Sequence, residues 1–177
     1  MAMRAHAARQ ISDDQFLAAE EAAIRDTISR FEATGSPVIT DGEQSKPSFA
    51  TYPLSGLENL AADGVTIPFA DGHIRQLPRL TKGPFRYGVH AVTYLKAARR
   101  HAHRPLKQAV ISASALSMLY PQNGVAGYSR EMFLKDLIEE SERDIRECLE
   151  AGAACVQIDF TEGRLALKLD PSGGHIH

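Results

Sequence analysis

Apolar residues recur at helical spacing in three stretches of the chain and gather into short continuous runs in three others. Leu17, Ile24, Ile28 and Phe31 predict one apolar face of a helix over about residues 12–34. Ser12 and Gln15 fit a capping box at its start, and Asp13 and Asp14 suit the positive end of the helix dipole. Gly35 is the expected C-terminal cap, and Pro37 bars continuation. Val92, Leu95, Ala98 and Ala102 predict the buried face of a second helix over 88–103, stopped by Pro105. Leu134, Ile138, Ile145 and Leu149 predict a third, running from a Ser129 cap to Gly152. Residues 37–40, 108–112 and 154–159 are short β-rich runs, and the last two read as buried strands.

Residues 45–86 fit neither pattern. Pro53, Pro68, Pro78 and Pro84 break any long helix, while 65–69 and 73–80 flank Ala70-Asp71-Gly72, a hairpin signal. Residues 114–121 read as a loop after the second strand. Strands alternating with helices imply parallel βα units. There is no internal repeat, low-complexity tract or linker, so residues 1–177 form a single domain.

Composition narrows the function classes. The chain has 177 residues, of which 44% are hydrophobic and 24% charged, with a formal net charge of -2. No cationic excess points to nucleic acid, and no apolar run approaches the ~20 residues that span a bilayer. Residues 1–10 carry Arg4 and Arg9 without acids and lack the apolar core of a secretory signal. Cys148 and Cys155 have neither disulfide-scaffold nor closed-zinc spacing. Both read as small buried apolar residues in a reducing compartment, and the expected location is cytoplasmic.

Active-site groups of α/β folds collect at the C-terminal ends of parallel strands. Here those ends carry Asp41, Glu43 and Gln44; then Ser112, Ser114, Ser117 and Tyr120; then Asp159, Thr161, Glu162 and Arg164. The competing reading is that these carboxylates cap the next helices or pair with Lys46 and Arg164. His73 and His90 are candidate general bases, and Arg75, Arg79 and Arg86 candidate anion binders. The cationic cluster Arg99, Arg100, His101, His103 and Arg104 reads as a solvated helix end, and His175 with His177 as incidental.

Three segments carry a family resemblance. Gly35-Ser-Pro-Val-Ile-Thr-Asp-Gly-Glu-Gln44, Lys107-Gln-Ala-Val-Ile-Ser-Ala-Ser-Ala-Leu-Ser-Met-Leu-Tyr-Pro121 and Val156-Gln-Ile-Asp-Phe-Thr-Glu162 resemble, in order and spacing, strand ends of cobalamin-independent methionine synthases. The resemblance implies a (β/α)₈ (TIM) barrel and a methyltransferase of methionine biosynthesis, or a divergent relative. It implies a homocysteine-like thiol as acceptor and a folate-type methyl donor. Glu43 and Asp159 would grip the amino group of the amino acid, from neighbouring barrel strands, with Asp41, Ser114 and Glu162 beside them.

The departures are specific. The family's first strand is absent, and its zinc ligands, a His-x-Cys pair, a Glu and a later Cys, would lie beyond the third segment. Zinc is therefore expected for a complete family domain, with no ligands in this chain. Phe160-Thr161-Glu162 replaces the usual Glu-Pro-Ala, and Met118 stands where a tryptophan is expected, which leaves the methyl donor open. The expected architecture is a partial barrel lacking the first and the C-terminal strands, since a whole one needs about 250 residues. Such a piece is expected to be marginally stable alone or to need a partner. A metal-free decarboxylase-like barrel and a non-catalytic fragment binding an amino acid or another chain are the alternatives.

Overall fold

The computed structural model describes residues 2–68, 72 and 74–160. The elements are α1 (Ala2–Ala7), α2 (Asp13–Ala33), β1 (Leu60–Ala61), β2 (Thr66–Pro68), β3 (Ile74–Gln76), β4 (Arg79–Leu80), α3 (Val92–Arg99), β5 (Lys107–Ile111), α4 (Ala113–Leu116), α5 (Arg130–Glu150) and β6 (Cys155–Asp159). The fold is mixed α/β, and no barrel is closed among the described residues. No described helix is long and apolar enough to cross a membrane.

Its organising unit is parallel. β5 pairs with β6 from Lys107↔Cys155 to Ile111↔Asp159. On the other edge of β5, Ile39 forms a parallel bridge with Leu106, accepting from the Lys107 amide and donating to the Pro105 carbonyl. Residues 37–40, expected as a strand, thus contribute one bridge. Beyond it the open edge of β5 is closed by side chains. Lys46 Nζ donates to the Ala109 carbonyl at 2.7 Å, and the Ile111 amide donates to the Tyr52 hydroxyl at 3.4 Å. Buried backbone groups need such partners when a ladder stops short.

The helices start where their caps are. Ser12 and Gln15 form the expected capping box on α2, and Gly35 follows the helix with φ 76°. Ser129 caps α5, accepting from the Met132 amide. The predicted faces need correction. On α2 only Ile24 and Ile28 are buried, and Leu17 and Phe31 are exposed. On α5 the buried stripe is Phe133, Leu137, Glu140, Asp144 and Cys148, while Ile138 and Leu149 face solvent. The stripe includes two acids because they accept hydrogen bonds from the loop packed against them. α3 begins at Val92 rather than 88, for the same reason: the residues before it are suspended from α5.

Other expectations shift. Residues 2–7 form a short helix whose His6 ring stacks on Phe16 at 4.5 Å. The stretch read as a loop over 114–121 opens as α4, capped by the Ser112 hydroxyl, and continues as a 3₁₀ turn (Ser117–Leu119). The hairpin over 65–80 forms as β2 against β3, and a second antiparallel pair, β1 with β4, closes the excursion beneath it. Cys148 is buried, and burial pushes its thiol up to about 12. Cys155, expected to be buried, is exposed on β6.

Candidate functional site

The turn after Ile39 is the most constrained polar segment of the chain. Asp41 is 3% exposed, and burial raises its carboxyl pKa above the ordinary carboxylate range. One oxygen, Oδ1, accepts from the Glu43 amide at 2.9 Å, and the other, Oδ2, has no hydrogen-bond partner among the described residues. A buried, unsatisfied carboxylate oxygen is costly, and a bound water or a ligand's donor group would satisfy it. Gly42 and Glu43 both take left-handed backbone conformations, with φ 66° and 57°. The glycine is suited to this; the glutamate is held there by its contacts.

Lys46 closes the turn. Its side chain is 1% exposed, and Nζ donates to Glu43 Oε1 at 2.8 Å as well as to the Ala109 carbonyl. The ammonium also lies 4.6 Å from the Tyr52 ring centroid and 5.8 Å from that of Tyr94, within cation–π range. Below it the Tyr52 hydroxyl donates to Asp144, whose other oxygen accepts from the Ala91 amide at 2.6 Å. Burial raises the Asp144 carboxyl, and burial with the neighbouring Asp144 raises the Tyr52 phenol.

Asp144 belongs to a ladder on α5. Asp136 accepts from the Phe85 amide, Glu140 from the Tyr87 amide and Asp144 from the Ala91 amide. His90 Nε2 lies 3.0 Å from Glu140 Oε2, and Arg86 pairs with Asp136 at 2.7 Å. These side chains hang the segment 85–91 on the helix, a structural use of the groups read as a general base and an anion binder. Arg79 is likewise paired, with Asp63, and the Arg75 side chain and His73 lie outside the described residues. The cationic end of α3 is solvated as expected, with Arg99, Arg100, His103 and Arg104 exposed, and it also has partners: Arg100 and His101 contact Glu21, and the His103 and Arg104 amides donate to Glu32.

Of the five residues expected to bind substrate, Asp41 and Glu43 share the turn just described. Asp159 ends β6, half-buried, and Gln157 Nε2 donates to its Oδ1 at 2.6 Å. Glu43 and Asp159 do not come from neighbouring strands: β5 lies between the Ile39 segment and β6. All three run parallel, so both residues follow the same end of the sheet. Ser114 is exposed in the first turn of α4, where its carbonyl accepts from the Ser117 hydroxyl. Glu162 lies outside the described residues, as do Thr161, Arg164, His175 and His177. A cleft of about 460 Å³ opens elsewhere, lined by Lys82, Tyr128, Met132, Lys135 and Asp136 among others, and none of the strand-end residues lines it.

Sequence reasoning missed Tyr52 and Asp144; its competing reading, a strand-end carboxylate paired with Lys46, is present at Glu43, but the burial of Lys46 was not foreseen. One signal was available: Asp136, Glu140, Asp144 and Cys148 recur every four residues, one face of a helix. Among the described residues no group of three or more His, Cys, Asp or Glu side chains converges to hold a metal ion.

No protein-family model and no curated protein matches the sequence. Among solved structures, the fold is similar to that of a B12-independent methionine synthase from Shewanella sp. W3-18-1 in complex with selenomethionine. The TM-score is 0.66 at 18% identity, over 84% of this chain and 43% of that one. The chain thus spans less than half the length of that protein, and at this identity the likeness is one of fold.

Proposed function

We propose that the sheet end carrying Asp41, Glu43 and Asp159 binds the ammonium of a sulfur-containing amino acid, as part of a methyltransferase of the cobalamin-independent methionine synthase type. The observation that carries this reading is Asp41 Oδ2, a buried carboxylate oxygen without a partner among the described residues, next to the left-handed Gly42-Glu43 turn. Carboxylates are the natural acceptors for a primary ammonium, and charge-assisted hydrogen bonds are among the stronger ones. The parallel pair β5–β6 and the Ile39 segment bridged to it are read as part of a (β/α)₈ barrel, whose ligands gather at this end. The neighbouring structure's ligand, selenomethionine, is an amino acid of the class proposed.

The reaction in this reading is methyl transfer to a homocysteine-like thiol. The acceptor thiol gives up its proton, its sulfur forms a bond to the methyl carbon as the donor's nitrogen–methyl bond breaks, and the electron pair left on the donor nitrogen takes up a proton, so that thiol and methyl amine become thioether and N–H amine. The chain's contribution is to hold the acceptor by its ammonium. A folate-type donor, a role for Ser114 and Glu162, zinc in a complete domain and a cytoplasmic location belong to the same proposal. The alternative reading is an amino-acid binder without chemistry. It rests on the same ammonium acceptors, the carboxylates of the Asp41–Glu43 turn.

Isothermal titration calorimetry with L-homocysteine and L-methionine tests the binding. The comparison ligand is 4-(methylthio)butanoate, which lacks only the amino group. The amino acids should bind at least about tenfold more tightly than the desamino acid, the worth of one charge-assisted hydrogen bond. Equal affinities, or none, would sink the reading. Methyl transfer to homocysteine then separates the enzyme from the simple binder.

A further inference from the structure

We propose that Lys46 is a positioning residue: it fixes the Glu43 carboxylate in the orientation that receives a ligand's ammonium. This rests on the amino-acid reading of the same turn. An ammonium has three protons to place. In Lys46 one goes to Glu43 Oε1 at 2.8 Å, one to the Ala109 carbonyl at 2.7 Å, and the third side faces the Tyr52 ring. The side chain is 1% exposed and so has one position available to it. The turn is locked from the backbone too, since the Lys46 amide donates to the Glu43 carbonyl at 3.2 Å and the Glu43 amide to Asp41 Oδ1.

The consequence for Glu43 is an asymmetric carboxylate. Oε1 is bound by Lys46, while Oε2 has no protein partner among the described residues, and the side chain is 32% exposed. A free glutamate in a left-handed turn would sample several rotamers, each lost on binding. Lys46 removes that freedom beforehand and leaves one oxygen presented. Because Lys46 is anchored to the β5 backbone through Ala109, the carboxylate's position is referred to the sheet rather than to its loop. A purely electrostatic partner would need neither the burial nor the carbonyl.

The test compares ligand selectivity in the full chain across wild type, K46M, E43Q and K46M/E43Q. The readout is the ratio of affinities for L-methionine and 4-(methylthio)butanoate, which a loss of folding alone does not move. E43Q should collapse the ratio by about tenfold, K46M should collapse it nearly as far, and the double variant should match E43Q. Additive losses, or a K46M chain with the wild-type ratio, would overturn the proposal. A second measurement does not depend on ligand or on K46M folding: the Lys46 ¹⁵Nζ resonance should be visible in wild type, its protons protected from exchange, and should move in E43Q. An unchanged resonance in E43Q removes the contact on which Lys46's role depends. If wild type shows no preference for the amino group while this resonance behaves as expected, the substrate reading has failed and the positioning role of Lys46 falls with it, leaving only the Lys46–Glu43 contact.

Discussion

The Tyr52 hydroxyl donates to the buried Asp144 carboxylate and accepts from the Ile111 amide, joining the long excursion, α5 and the open edge of β5 at one oxygen. Tyr52 is fully buried and Asp144 is 1% exposed. Removing the hydroxyl would leave a buried carboxylate short of a donor and a strand amide short of an acceptor. Tyr52→Phe should therefore cost about 1–3 kcal/mol of stability with little change in volume. Urea denaturation measures it, and a loss below about 0.5 kcal/mol would show that solvent already serves these groups.

The same pair gives a pH dependence whose sign can be worked out. Burial raises the Asp144 carboxyl pKa in the folded chain above its ordinary value. Over the window between the two values the folded state holds a proton that the unfolded chain has released. Stability from this group is thus greatest at low pH and falls as pH rises through the window. Asp41, raised by burial as well, acts in the same direction. Asp144→Asn removes the titration while keeping an oxygen for the Ala91 amide. The wild type should lose stability relative to D144N as pH climbs from about 4 towards neutrality. A difference that is flat or grows in favour of the wild type would mean that the carboxylate is well solvated.

Much of this frame was legible in the chain, and the failures have a common cause. Ser12, Gln15, Gly35 and Ser129 marked helix ends correctly because caps are local chemistry between neighbours in sequence. The α5 face was misread by one position because hydrophobicity alone was counted. Glu140 and Asp144 are buried, and the amides of Tyr87 and Ala91, more than 50 positions away, make them so. Cys155 was read as buried because its strand is apolar, yet among the described residues β6 is paired on one edge only. Asp41 and Glu43 were singled out by their place at a strand end, and Lys46 as a countercharge to such carboxylates, which it is for Glu43. The burial of Lys46 depends on Ala109, Tyr52 and Tyr94, contacts that no spacing rule reports.

Gly88 makes a tertiary contact that a side chain would break. Its amide donates to the Pro53 carbonyl at 2.7 Å, and a Cβ at this position would lie 2.1 Å from the Ser55 carbonyl oxygen. Backbone meets backbone here, so no flexible side chain can yield. Gly88→Ala should push residues 53–55 away and disturb the adjoining Tyr52, at a cost of about 1–3 kcal/mol. Its effect should be non-additive with Tyr52→Phe in a double-mutant cycle, since part of the loss is the same contact. Full additivity would separate the two.

The outer side of β6 leads to a prediction about association. Ile158 is 55% exposed and Phe160 58%, and nearby in sequence order α5 leaves Ile138 59% and Leu149 50% exposed. β6 pairs with β5 alone among the described residues, so one row of its backbone groups has no ladder partner there. An apolar strand edge is a template for pairing with another chain, and a charge on such a strand is the usual means of preventing it. The isolated chain should therefore self-associate with rising concentration in sedimentation velocity. Ile158→Lys should suppress the effect without lowering the urea midpoint, because an exposed side chain contributes little to folding. Lys135→Ala, away from this edge, is the control. A wild-type chain that stays monomeric at about 100 μM, a concentration at which exposed edges ordinarily associate, would show the edge to be covered.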